Sequence, residues 1–173
     1  LQFRDVHGFN ERVAWLLSIG NGTDSRIYRT VDGGRNWAVQ FINRDPKAFY
    51  DCFAFWDERS GIALSDNVNG VFPLLRTFDS GYEWQLISDP ADSAGSRVPP
   101  ATPGEGGFAA SGTCVVTVGK SEAWIATDAG ASAPPEVIQQ IEQSIERIEA
   151  AGGVRAVRRV PLAEAQVSRF GPV

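Results

Sequence analysis

Arg29-Thr30-Val31-Asp32-Gly33-Gly34-Arg35-Asn36-Trp37 returns 47 residues later as Arg76-Thr77-Phe78-Asp79-Ser80-Gly81-Tyr82-Glu83-Trp84, and this recurrence decides the fold. Each copy follows a short apolar run, Ile27-Tyr28 or Phe72-Pro73-Leu74-Leu75, and precedes another, Ala38 to Ile42 or Gln85 to Ile87. That order reads as strand, tight turn, strand. The shared Thr-x-Asp-x-Gly-x-x-Trp motif has a local logic that needs no ligand. An Asp carboxylate accepts hydrogen bonds from the amides of its own turn, the Gly takes a positive φ, and the Trp folds back over the hairpin. Thr30, Asp32, Gly34 and Trp37, with Thr77, Asp79, Gly81 and Trp84, are therefore structural, and the two aspartates are hairpin locks before they are catalytic acids.

Working outward, Val13 to Ser18 and Gly61 to Ser65 form a second matched pair of apolar runs, introduced by Asn10-Glu11-Arg12 and Asp57-Glu58-Arg59. Phe3 to Phe9 and Phe49 to Phe55 precede those. Four strands per repeat, with a period in the forties, is the signature of a β-propeller blade. A third copy begins with Phe108 to Val118, turns at Gly119-Lys120-Ser121-Glu122, and continues with Ala123-Trp124-Ile125-Ala126-Thr127, an echo of Ala14-Trp15. The expected fold is all-β: a partial propeller of about two and a half four-stranded blades, near residues 1–43, 48–88 and 107–128.

Composition narrows the class. With 173 residues and 43% hydrophobic content, the chain can bury a core and is too apolar for a disordered one. A net charge of −5 and no run of Lys or Arg before the last twenty residues argue against nucleic acid as a partner. No apolar stretch approaches the roughly 20 residues that span a bilayer. The chain has no Met, so it reads as an internal stretch of a longer frame or as the product of a processed leader. Cys52 and Cys114 have no Cys or His at metal-ligand spacing. Two small buried hydrophobes is the favoured reading of them, with a disulfide as the alternative if the protein is exported.

The two motifs resemble the Asp-box, or bacterial neuraminidase repeat, and their frame resembles the propellers of sialidases, xyloglucan-active glycosidases and photosystem II stability/assembly factors. Arg4-Asp5-Val6-His7, Tyr50-Asp51-Cys52-Phe53-Ala54-Phe55-Trp56-Asp57 and Gly104-Glu105-Gly106-Gly107-Phe108-Ala109-Ala110-Ser111-Gly112-Thr113-Cys114 are similar to bacterial proteins of the assembly-factor type. The resemblance covers about residues 1–128. It implies an extracytoplasmic protein that docks a protein partner or a glycan, with no cofactor and no metal. Sialidases use three arginines around the substrate carboxylate. Here Arg29 and Arg76 adjoin the Asp-box turns and, with Arg4, do not make such a cluster, so sialidase activity is not implied.

Two segments depart from the repeat. Residues 88–107 are rich in Pro, Gly and Ser and read as a surface loop, with Glu105 as a solvated carboxylate at its return. After Asp128 no third strand and no third Asp-box Trp is evident. Ser132-Ala133-Pro134-Pro135 instead starts an amphipathic helix with Val137, Ile138, Ile141, Ile145 and Ile148 on one face, stopped by Gly152-Gly153. Val154 to Leu162 reads as a further strand, and residues 129–173 as a helical C-terminal extension with a short tail. Two and a half blades cannot close a ring that typically takes four to eight. Further blades outside this stretch are the favoured completion, and self-assembly is the other.

Inner blade strands line a propeller's channel, so Arg4, Asp5, His7, Tyr50, Asp51 and Ser111 are the channel-facing candidates. Asp51, Asp66 and Glu105 are the candidates for the carboxylate pair of a glycoside hydrolase. Asp5 and Asp51 are read as matched between repeats, which favours a structural role in which they hydrogen-bond the backbone of a neighbouring blade. The non-enzymatic scaffold is accordingly the first functional expectation, and the glycoside hydrolase the second.

Overall fold

The computed structural model describes residues 1–88, 100–102, 104–107, 114–128 and 166–170. They form three antiparallel sheets, each of four strands. The first contains β1 (Gln2–Gly8), β2 (Ala14–Ile19), β3 (Arg26–Thr30) and β4 (Ala38–Ile42), hydrogen-bonded in chain order. The second repeats this with β5 (Tyr50–Phe55), β6 (Gly61–Ser65), β7 (Leu74–Thr77) and β8 (Gln85–Ser88). In the third, β11 (Glu122–Asp128) pairs with β10 (Val115–Val118), with β12 (Gln166–Phe170), and at its end with the two-residue β9 (Gly106–Gly107). The only helical element among the described residues is a 3-10 turn, Gly22–Asp24.

The repeat extends to the irregularities. A bulge between Phe3 and Asp5 makes Arg4 the extra residue of β1, and a bulge between Tyr50 and Cys52 does the same for Asp51 in β5. A second matched pair of bulges falls between Ile27 and Tyr28 in the β3–β4 ladder and between Leu74 and Leu75 in the β7–β8 ladder. The register corrects one expectation: Asp51 corresponds to Arg4, and Asp5 corresponds to Cys52. Counting acidic residues across the repeats missed this, because one residue of slip at a bulge moves a side chain to the other face.

The third sheet brings a second correction. A third strand exists, but it is β12, in register with β11 from Ala123↔Phe170 to Thr127↔Gln166. Trp124↔Arg169 stands where Trp15↔Arg29 stands in the first sheet. The expected helix, residues 135–151, lies outside the described residues, as do Phe108 to Thr113 and the strand expected at Val154 to Leu162.

Sequential sheets pack face to face. Trp15, Leu17 and Ile27 of the first sheet, all fully buried, meet Tyr50, Phe53, Phe55, Ala63 and Leu75 of the second. The opposite face of the second sheet, Cys52, Ala54, Ile62, Leu64 and Leu74, meets Cys114, Val115, Ala123 and Ile125. Each Leu, Ile, Val or Phe among them contributes roughly 1.5–3 kcal/mol through burial, and the alanines less. The sequence pattern follows. Strand β5, covered on both faces, is apolar almost throughout and wholly buried, whereas β1, covered on one, is largely exposed.

Candidate functional site

Both Thr-x-Asp turns close as their chemistry requires. Thr30 Oγ1 donates to Asp32 Oδ1 at 2.8 Å and accepts from Gly34 N at 2.9 Å, and Asp32 Oδ1 accepts from Asn36 N at 3.0 Å. Thr77, Asp79, Gly81 and Glu83 repeat the pattern at 2.9, 2.9 and 3.0 Å. Gly34 and Gly81 take φ of 82° and 84°. The hydrogen bonds to Asn36 and Thr30 hold the Asp32 carboxyl down at about 2, and the Glu83 amide lowers that of Asp79. The carboxylates are consumed by their own turns, which fits locks and leaves little for acid catalysis.

The indoles differ. Trp37 Nε1 donates to Gly34 O at 3.1 Å and stays on its hairpin, whereas Trp84 packs into the core between the first two sheets, with its ring edge-on to Phe55 at 5.9 Å. Trp15 ties the same sheets together. It stacks on Phe55 at 4.2 Å and donates from Nε1 to Ser80 O at 3.3 Å, while Arg29 lies 5.3 Å over its ring and pairs with Glu58 at 3.3 Å.

The channel-facing candidates go to different places. Arg4 is exposed on its bulge. Asp5 reaches the second sheet, its carboxylate accepting from Phe53 N at 3.0 Å and from Val6 N at 2.8 Å. Burial raises its pKa, against the pull of those two amides. His7 leans on Phe55 at 5.1 Å and Trp15 at 6.3 Å, and burial lowers its pKa. Tyr50 is buried edge-on to Phe41 at 5.4 Å, its pKa raised first by burial and then by Asp45. It borders a groove of about 490 Å³ between the first two sheets, whose walls include Phe41, Leu75, Trp84 and Leu86. Ser111 lies outside the described residues.

Asp51 and Asp66 meet at the seam between the second and third sheets, and Glu105 stands just before the Gly106-Gly107 pair that both of them touch. Asp51 is 2% exposed. Burial, then the charge of Asp66, then a hydrogen bond shared with it, push its pKa up to about 8. Its carboxyl therefore holds its proton well above the usual carboxylate range, which eases the repulsion between two adjoining carboxyls. Asp66 Oδ1 accepts from Gly107 N at 2.6 Å, and the Asp51 carboxyl fills the space that a Cβ on Gly107 would occupy. Glu105 corrects the expectation of a solvated carboxylate: it is 5% exposed. Its Oε2 accepts from Thr102 N at 2.7 Å and Thr102 Oγ1 at 2.9 Å, its Oε1 accepts from Thr127 Oγ1 at 2.5 Å, and its carbonyl accepts from Asn67 Nδ2. The three carboxyls hold the β9 segment between the second sheet and β11. Gly106 and Gly107 were the overlooked partners. A glycine pair facing two acids is the signal that marks them, since neither tolerates a side chain there.

Cys52 and Cys114 are joined as a disulfide, which corrects the reading of two separate buried hydrophobes. Cys52↔Leu64 and Asp5↔Leu17 hold the same place just after the bulge in their ladders, and Cys114 directly precedes Val115, the counterpart of Phe53 and Val6. Corresponding positions of the three first strands thus make the Asp5–Phe53 hydrogen bond and the Cys52–Cys114 bond. The spacing of 62 residues hid a pair that only the sheet stacking brings together. Among the described residues, no helix is long and apolar enough to cross a membrane. The sequence matches no protein-family model and no curated protein.

Proposed function

We propose that this chain is part of an Asp-box β-propeller of the assembly-factor type, acting as a non-enzymatic scaffold that docks a protein partner outside the cytoplasm. The observation that carries the reading is the fate of the carboxyls. Glu105 is saturated by Thr102 and Thr127, Asp66 accepts from the Gly107 amide, and Asp51 is buried against both Asp66 and Gly107. A glycosidase pair instead leaves about 5 Å or more between its carboxyls for a sugar. The matched bulges and the equivalent packing of successive sheets support the propeller, and the disulfide supports an oxidising compartment. The groove bordered by Trp84 and Leu86 has the concave, largely apolar character of a binding surface.

The glycoside hydrolase keeps one feature in its favour, a carboxyl, Asp51, whose pKa is raised by burial and by the Asp66 charge beside it. Affinity capture with the full-length protein, compared with its Leu86→Asp variant, separates the two readings. The scaffold reading expects a partner that the wild type retains and the variant loses. Turnover of a glycoside with no partner recovered would overturn it.

A further inference from the structure

We draw no further inference here: the strongest candidate, the groove of about 490 Å³ between the first two sheets walled by Phe41, Tyr50, Trp84 and Leu86, carries nothing beyond the docking role already proposed for it, because nothing in the structure shows what covers it.

Discussion

Asp51 is buried beside Asp66 at the seam of the second and third sheets, and both abut the glycine pair of β9. The first carboxyl keeps its proton far above its ordinary value of 3.8, up to about 8, so that the two do not repel. Stability linked to Asp51 is therefore complete below about 3.8, is lost as pH rises through about 8, and changes little beyond. Asp51→Asn, which keeps the shape and cannot ionise, should unfold at higher urea than the wild type at pH 9 and lose that advantage at pH 5. An equal difference at both values would deny that Asp51 retains its proton.

The glycine side of the same contact is testable by bulk alone. A Cβ on Gly107 would overlap the Asp51 carboxyl. Gly107→Ala should cost about 1–3 kcal/mol in a denaturant titration, and in the Asp51→Ala background the cost should shrink. An unchanged cost would place the strain elsewhere.

The disulfide closes a loop of 62 residues between two sheets. Reduction, or replacing Cys52 and Cys114 together by Ala, should lower stability by about 2–5 kcal/mol. Thermal unfolding with and without reductant checks this, and coincident curves would show that the bond is not made in solution.

Thr77 serves as donor and acceptor within a turn that it shares with Asp79 and Gly81, and it is 1% exposed. Thr77→Val keeps the volume but removes both hydrogen bonds, and should cost about 1–3 kcal/mol. That corresponds to roughly 2–4 °C of Tm for each kcal/mol in a chain of this size. Thr30→Val should act in the same direction through the matching turn.

The strand order of the first two sheets and both Thr-x-Asp turns were legible in the sequence, because local turn chemistry and alternation act over a few residues. The pairing of Asp5 with Cys52, of Asp51 with Arg4, and of Cys52 with Cys114 was not, since bulges and sheet stacking decide it. Glu105 misled because its neighbours are loop-like in composition, while its actual partner Thr127 lies on a strand twenty-two residues away. The third sheet's outer strand was missed for want of contiguity. Val167-Ser168-Arg169-Phe170 does echo Ile27-Tyr28-Arg29-Thr30, but a long stretch separates it from β11.

Hydrolysis of a panel of aryl glycosides by the full-length protein and by its Asp51→Asn, Asp66→Asn, Glu105→Gln triple variant bears most directly on whether these carboxyls bind sheets or break sugars. The structural role predicts no turnover by either protein and a changed unfolding midpoint in the variant. Turnover by the wild type that the variant loses, at unchanged stability, would contradict it.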